Sequence, residues 1–262
     1  MMVTRAALAV GAGLAFAASA SAQVNSWGTF LGYFHDIATS NPMVTSNTLN
    51  NLTIDETFPQ APAGAGGVNR DTGALSADNG ATPYHVDNAN PWYYQVTVRL
   101  SGLASNEAGM HIGQLGDPGG FGPMNAITGQ VMVNANGEIA AFGAWLPFFS
   151  NNQSQFSYLP RGGRDADFTL GIYINPDPMN AFAEYFVNGV STGPIAMDAG
   201  ALNFYMSTPN TLGVYGQGAW RASGPTEAIY TFTNPSIGVP SPSGAALLAM
   251  GGLLAGRRRR RA

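Results

Sequence analysis

The stretch DFTLGIYIN, residues 167–175, alternates apolar side chains with smaller or polar ones. Its large apolar residues, Phe168, Leu170, Ile172 and Ile174, fall on one face of an extended chain, because successive side chains of a strand point to opposite sides. Thr169, Gly171 and Tyr173 fall on the other face. A period of two over nine residues predicts a half-buried β-strand.

The same period recurs along the middle of the chain. In residues 92–101, Tyr94, Val96, Val98 and Leu100 share one face. Further strands are predicted where β-branched or aromatic residues are bounded by Gly, Asn or Pro: residues 127–134, 138–145, 181–187, 202–207 and 228–233. We expect no helix of 11 residues or more here, and we expect long loops at residues 60–80 and 113–123. The pattern predicts an all-β fold, an antiparallel β-sandwich or jelly roll.

Turn residues separate the predicted strands. Residues 134–137 read Asn-Ala-Asn-Gly and are expected to close a hairpin, and residues 175–178 read Asn-Pro-Asp-Pro. Asn188-Gly189 ends the strand over 181–187 in the same way. The segment 167–194, with its Tyr-Phe-Val-Asn-Gly turn, resembles a hairpin of concanavalin-like and laminin-G-like jelly rolls, which implies the same architecture.

The first 22 residues have the pattern of an export signal. Arg5 precedes an apolar run of 13 residues, 6–18, which is shorter than the ~20 residues that span a bilayer as a helix. Ala20-Ser21-Ala22 then forms a small-x-small cleavage site, so Gln23 is the expected mature start. We therefore expect signal peptidase to remove residues 1–22 and the chain to be exported.

The last 24 residues form a second targeting pattern. Val239-Pro240-Ser241-Pro242 breaks regular structure, a short apolar helix is expected over 244–256, and a run of arginines follows: Arg257, Arg258, Arg259, Arg260 and Arg261. This pattern resembles the PEP-CTERM sorting signal, with Ser241 where that family usually has Glu. The resemblance implies transient membrane anchoring, removal by an exosortase-type enzyme, and a location at the cell surface or outside the cell, often with exopolysaccharide. An ordinary C-terminal anchor is the alternative. Residues 23–238 then form one domain.

Composition excludes several classes of function. All 11 basic residues are Arg, and without Arg5 and the terminal run five remain against 15 acids, a formal charge of −10. A nucleic-acid binder needs clustered basic residues, which this region lacks. The absence of Lys excludes a Walker phosphate loop and Schiff-base chemistry, and the absence of Cys excludes disulfides and thiolate nucleophiles.

The candidate sites are few. Gly189-Val190-Ser191-Thr192-Gly193 matches a nucleophile elbow, but Pro194 follows where a helix is required, which favours a hairpin turn. The three histidines lack metal-ligand spacing, and no resident cofactor is expected. Calcium, which takes several oxygen ligands from loops, has one candidate set: Asp165, Asp167 and Asp177. Turn hydrogen bonds and ion pairs with Arg161 and Arg164 are the competing explanation.

Aromatic residues suggest contact with sugars. Trp92, Tyr93 and Tyr94 must place rings on both faces of a strand, and exposed rings stack on sugar faces. We expect Tyr94 to be buried, and Trp92 and Tyr93 are the candidates for glycan contact. The leading hypothesis is an exported, non-enzymatic structural or adhesive protein that contacts extracellular polysaccharide. The alternative is a concanavalin-like glycan-cleaving enzyme or carbohydrate-binding module, for which Glu184 is one candidate acid without an identified partner.

Overall fold

The computed structural model describes residues 24–35, 40–62, 66–115, 124–151, 162–219 and 224–238. Within these ranges the chain forms fourteen strands and one helix. In chain order they are β1 Ser26–His35, β2 Asn41–Thr48, β3 Asn51–Phe58, β4 Val68–Ser76, β5 Trp92–Ser101, β6 Ser105–Leu115, β7 Met124–Asn134, β8 Ile139–Phe142, β9 Phe149–Asn151, β10 Asp167–Asn175, β11 Phe182–Val187, β12 Val190–Ala196, α1 Ala199–Ser207, β13 Thr211–Ala219 and β14 Thr226–Gly238.

The strands form two seven-stranded sheets that pack face to face. Sheet I has the order β1-β4-β13-β6-β7-β8-β9, and sheet II has the order β12-β11-β10-β5-β14-β3-β2. Paired strands within both sheets run antiparallel. The predicted all-β sandwich is therefore confirmed.

The core lies between the sheets and follows the predicted alternation. In sheet II, β10 turns Phe168, Leu170, Ile172 and Ile174 inward, and each is at most 2 % exposed. Tyr94 is fully buried, as expected. Sheet I contributes the inward residues Leu212 and Val214 of β13 and Ala108, Met110 and Ile112 of β6, all fully buried. Burial of these faces, at about 25 cal/mol per Å² of apolar surface, is the main force that holds the sheets together.

The predicted turns are present. Residues 134–137 join β7 to β8, where Gly137 has φ 87°. Asn188 and Gly189 join β11 to β12 with φ values of 49° and 78°, as a two-residue hairpin turn with positive φ at both positions requires. The amide of Thr169 donates to the Asn188 side-chain oxygen at 2.8 Å, which ties the turn to β10.

Two predictions of local structure are wrong. Residues 202–207 belong to α1 rather than to a strand: the Asp198 carboxylate caps the helix by accepting from the Ala201 amide at 2.7 Å, and Leu202 and Tyr205 face inward at helical spacing. Residues 60–80 contain β4, which lies between β1 and β13. Its small and polar residues look like a loop in sequence, but pairing on both sides fixes it as a strand.

The loop predicted over residues 113–123 is described only in part. β6 continues to Leu115, and residues 116–123 lie outside the described residues.

No helix in the described ranges is long and apolar enough to cross a membrane. The export and sorting residues Ala20, Ala22, Gln23, Val239, Pro240, Ser241, Pro242 and Arg257 to Arg261 all lie outside these ranges. The predicted signals and domain boundaries therefore remain predictions.

Candidate functional site

The face of sheet I that points away from sheet II carries a cluster of polar and titratable side chains. Alternation in four neighbouring strands sends one set of residues into the core and the other set to this outer face. Cross-strand pairing then brings the outer set together, because Tyr215 of β13 pairs with Thr72 of β4 on one side and with Gly109 of β6 on the other. The polar face consists of Arg70 and Thr72 of β4, Tyr215 and Gln217 of β13, Glu107 and His111 of β6, and Gln130 of β7.

Glu107 is the centre of a hydrogen-bonded network on this polar face. Its Oε1 lies 3.5 Å from Nη2 of Arg70 and accepts from the Tyr215 hydroxyl at 3.3 Å. The Arg70 guanidinium also donates through Nε to Oε1 of Gln217 and lies 5.7 Å from the centre of the Tyr215 ring. A cation over an aromatic face and beside a carboxylate is attracted both by the electron-rich face of the ring and by the negative charge of the carboxylate. Arg70 is therefore oriented by β6 and β13 together.

The network shifts the acidity of its members. Burial raises the pKa of Glu107, and the nearby Arg70 opposes that shift. Burial, together with the negative charge of Glu107, raises the pKa of Tyr215 well above its ordinary value. Tyr215 therefore stays protonated at neutral pH, and its hydroxyl is a proton donor.

His111 is fully buried and has one free nitrogen. Its Nδ1 lies 3.1 Å from the carbonyl oxygen of Val214, and a carbonyl can only accept, so Nδ1 carries the proton. Nε2 is buried and has no hydrogen-bond partner among the described residues, and burial lowers the pKa of His111 to about 4. The imidazole is therefore neutral at pH 7, with a lone pair on Nε2 that nothing in the described structure uses.

Gln130 lies opposite His111 in the β6–β7 register. It is 7 % exposed, and its buried side-chain oxygen has no partner in the described ranges. Buried polar atoms without partners are uncommon, and two of them on adjacent strands mark a place where water or a ligand supplies the missing hydrogen bonds.

Gly213 makes room for the imidazole. A Cβ at this position would overlap Cε1 and Nε2 of His111 and the carbonyl oxygen of Gly73. The His111 ring therefore lies across β13 at a residue without a side chain. His111 of β6 lies opposite Gly213, and Tyr215 is two residues further along β13 on the same face.

None of the polar-face residues was identified from the sequence as a site. A signal was available: β13 reads TLGVYGQGA and β6 reads SNEAGMHIGQL, so residues of the polar face alternate with core residues in both strands. That signal does not reveal which strands are neighbours. Only the pairing of β4, β13, β6 and β7 places Arg70, Tyr215, His111 and Gln130 on one surface.

The structure does not bring the proposed calcium ligands together. Asp167 begins β10 and lies 3.3 Å from Nη1 of Arg99, whereas Asp177 follows the opposite end of the same strand. Eight residues of extended strand separate their positions by ~26 Å. Asp177 accepts from the Met179 amide at 3.0 Å, a turn contact, and Asp165 has φ 60° in a neighbouring turn. In the part of the chain that is described, no three His, Asp or Glu side chains form a metal-binding group. Asp165, Asp167 and Asp177 therefore do not form the calcium site that the sequence suggested.

The proposed glycan-contact residues lie in two different environments. Trp92 is 2 % exposed, and its indole donates to the Tyr205 hydroxyl at 2.8 Å inside the core, so its proposed role in glycan contact is corrected. Tyr93 does lie on the outer face of sheet II, but it is only 8 % exposed and packs edge-on against Phe186 at 5.5 Å between ring centres.

Two further sequence candidates have structural roles. Ser191 lies on β12 after the hairpin turn and donates to Glu184 of β11, so the Gly189–Gly193 motif is a hairpin rather than a nucleophile elbow. Glu184 lies on the outer face of sheet II with that Ser191 contact, because Ala183, Tyr185 and Val187 are the core residues of β11.

Solved structures with a similar fold include polysaccharide-active enzymes and a sugar-binding domain. An endo-1,3-β-glucanase from Streptomyces sioyaensis is 10 % identical, with a TM-score of 0.49 over 82 % of this chain and 90 % of that one. The family 7 alginate lyase A1-II′ is 11 % identical, with a TM-score of 0.48, and the match covers 82 % of this chain and 94 % of the lyase. The carbohydrate recognition domain of Emp47p is 10 % identical, with a TM-score of 0.43 over 81 % and 95 %. No family model and no curated protein matches the sequence.

These comparisons correct one expectation from the sequence. The lack of a linear catalytic motif led to the hypothesis of a non-enzymatic protein. The solved structures that are similar to this chain include a glucanase and an alginate lyase, and a missing linear motif does not exclude an enzyme. A catalytic site assembled from several strands would have no linear motif, so the absence of such a motif was not sufficient ground for the non-enzymatic hypothesis.

Proposed function

We propose that this protein is an exported enzyme that cleaves a uronate-containing polysaccharide on the polar face of sheet I. One observation carries the proposal: the free Nε2 of the neutral, buried His111 lies on the same face as the protonated hydroxyl of Tyr215. His111 pairs with Gly213, and Tyr215 follows two residues later on the same face of β13. His111 and Tyr215 are therefore diagonal neighbours, whose backbones are ~7–8 Å apart. A proton acceptor and a proton donor on one face are the two groups that elimination at a sugar linkage requires.

The chemistry that fits is β-elimination. Nε2 of His111 would accept the proton from C5 of a uronic acid, and the electron pair of that C–H bond would form the C4–C5 double bond. The C4–O bond to the next sugar would break, and the Tyr215 hydroxyl would protonate the departing oxygen. The proton on His111 and the charge on Tyr215 are then restored through solvent.

Other members of the polar face suit a uronate carboxylate. Removal of a proton next to a carboxylate becomes easier when donors neutralise the developing charge. The Gln130 amide can donate to that carboxylate, and Arg70 lies on the same face in its ion pair with Glu107. His111 and Tyr215 are fully buried, so a substrate reaches them only after a change that exposes this face.

The test is an assay of the full chain on uronate-containing polysaccharides, alginate and polygalacturonate, with a neutral β-1,3-glucan for comparison. Elimination gives an unsaturated sugar end with ultraviolet absorbance. His111→Gln and Tyr215→Phe should each reduce the rate by about 10²–10⁴-fold, the usual contribution of a general acid or base. His85→Gln is the control, because His85 lies outside the polar face.

Thermal unfolding of each variant establishes that it is folded before the rates are compared. Wild-type protein without activity on any uronate polymer would contradict the proposal. Full activity in folded His111→Gln would contradict the assigned base.

A second candidate reaction is hydrolysis of a neutral glycan. It is favoured by the raised pKa of Glu107, since a general acid must hold its proton, and by the charge of Glu138, which contributes to that shift. Hydrolysis by two carboxylates needs both free to act. Glu138 accepts from Asn134 and Ser150, at 3.0 and 2.8 Å, and Glu107 is bound to Arg70. New reducing ends without ultraviolet absorbance would identify this reaction.

We also propose that residues 1–22 direct export and that residues 239–262 are recognised by an exosortase-type enzyme at the membrane. The support is the sequence pattern at each end. Mass spectrometry of the termini of the cell-surface and secreted protein should find Gln23 as the first residue and the arginine run removed. An intact chain among cytosolic proteins would contradict this.

A further inference from the structure

One end of the sandwich carries an apolar groove beside α1. The groove runs between α1 and the turn that joins β10 to β11, and its volume is about 570 Å³. Two of its methionines are open to solvent, Met179 by 92 % and Met206 by 46 %. Its apolar lining is formed by Pro178, Met179, Ala181, Met197, Leu202 and Met206. Exposed methionines along a groove are typical of a surface that binds another apolar segment.

The described chain ends at the same end of the sandwich. Gly238, the last residue of β14, pairs with Tyr93 near the start of β5. Trp92, the first residue of β5, pairs with Ile174 near the end of β10, and its indole contacts Tyr205 of α1. The C-terminal segment therefore leaves the fold beside β5, one strand away from β10, whose following turn forms one wall of the groove.

The C-terminal segment is long enough to reach the groove. β14 and β10 flank β5, so they are separated by two strand spacings, ~10 Å. Residues 239–243 span at most ~17 Å when extended. The apolar run 244–256 follows and measures ~20 Å as a helix. It carries large apolar side chains that water disfavours: Leu247, Leu248, Met250, Leu253 and Leu254.

The charges at this end complement the terminal arginines. Asp177 lies in the turn on one side of the groove, and Asp198 caps α1 on the other; both are exposed. Neither forms an ion pair with the arginines of the described ranges, where Arg99 pairs with Asp167 and Arg70 with Glu107. The five arginines at 257–261 would place positive charge next to these two carboxylates.

We propose that residues 244–256 of this chain occupy the groove beside α1 before the chain engages the membrane. Docking covers the apolar run and the two exposed methionines at the same time, and a membrane competes for the run because it buries more apolar surface. The docked tail would keep the newly exported protein soluble until it meets a lipid surface. This inference rests on the proposed export and membrane recognition of the tail and is independent of the proposed enzymatic activity.

Disulfide trapping provides the first test, because the chain contains no Cys and an introduced pair is unambiguous. In the full chain, the pair Met206→Cys and Met250→Cys should form an intramolecular disulfide under mild oxidation. The control pair is Leu103→Cys with Met250→Cys. Leu103 is 65 % exposed but follows the far end of β5, ~30 Å from Tyr93, so this pair should stay reduced.

Methionine oxidation provides the second test and needs no cysteine. A variant of the full chain with Leu247, Leu248, Leu253 and Leu254 changed to Ser should lose the docked state. Peroxide should then oxidise Met179 and Met206 several-fold faster than in the native chain, because exposure controls sulfoxide formation. Met43, 50 % exposed on β2, is the internal control and should react equally in both.

Three outcomes would overturn the proposal. Equal oxidation of Met179 and Met206 in native and Ser-substituted chains would mean that the tail does not cover the groove. A disulfide found only between two chains would mean that a second copy occupies it. Protection that requires phosphatidylcholine vesicles would mean that lipid, rather than the tail, covers the methionines.

Discussion

At the scale of single residues, the polar face depends on the close contact of His111 with Gly213. The ring lies against the backbone of β13, and only a residue without a Cβ leaves room for it. The hydrogen bond from Nδ1 to Val214 then fixes the orientation of Nε2. One glycine therefore determines whether the proposed base is available.

Gly213→Ala should displace the His111 ring. We expect a loss of about 1–3 kcal/mol in the free energy of unfolding, as for other overpacked sites, and loss of the proposed activity. Urea unfolding and the polysaccharide assay measure the two effects. Gly66→Ala is the matched control: a Cβ added at Gly66 would have no neighbour within 4 Å, so stability should change by less than about 0.5 kcal/mol. Equal stability of the two variants would contradict the contact.

His111 should make the protein less stable in mild acid. The unfolded chain binds a proton on this residue near pH 6.5, but the folded chain does so only near pH 4, so stability is lost as the pH falls between these values. At about 1.4 kcal/mol per unit of pKa, the loss is on the order of 3 kcal/mol. Urea unfolding at neutral pH and at about pH 5 should show a smaller pH dependence for His111→Gln than for wild type. The same dependence in both would show that His111 does not titrate this way.

At the scale of elements, the Asp198 cap determines where α1 begins. The sequence LNFYMS reads equally well with a period of two, which predicted a strand. Asp198 stabilises the helix because its carboxylate accepts a hydrogen bond from the Ala201 amide. This amide is one of the first-turn donors that have no partner within the helix. The cap also places Tyr205 against Trp92 and Trp145 in the core.

Asp198→Ala should destabilise the protein by about 1 kcal/mol through loss of this cap. Asp198→Asn keeps a side-chain oxygen at the same position and should cost much less, which separates the cap from the charge. Thermal unfolding of the three proteins measures the difference. If Asn were as destabilising as Ala, the cap would not be the cause.

At the scale of the whole molecule, the two sheets share one core. Leu170 of sheet II and Leu212 of sheet I are both fully buried in the same hydrophobic cluster, along with Val214, Ile172 and Tyr230. Neither sheet has another apolar layer in the described ranges that is large enough to support it alone, so the sheets should unfold together.

Leu170→Ala and Leu212→Ala should therefore lower the stability of one common transition. Each should cost about 2–5 kcal/mol, the usual range for a buried Leu replaced by Ala. Circular dichroism and tryptophan fluorescence should give coincident unfolding curves for both variants. A transition that separates into two in either variant would show that the sheets are independent units.

The fold class, the strand β10, the inward faces of β5 and β10, and the hairpin turns at 134–137 and 188–189 follow from the amino-acid sequence alone. These features are local: they follow from a period of two and from turn residues that tolerate positive φ. The sequence also supplied the two terminal patterns, on which the proposals of export and tail docking rest.

The order of the strands in each sheet becomes known only from the folded chain, and the candidate site depends on that order. β4 is a strand because β1 and β13 pair with it, although its composition is that of a loop. Arg70, Glu107, His111, Gln130 and Tyr215 lie far apart in sequence and meet because antiparallel register aligns them. Side-chain alternation assigns a residue to a face, but hydrogen bonds between distant strands determine what lies beside it.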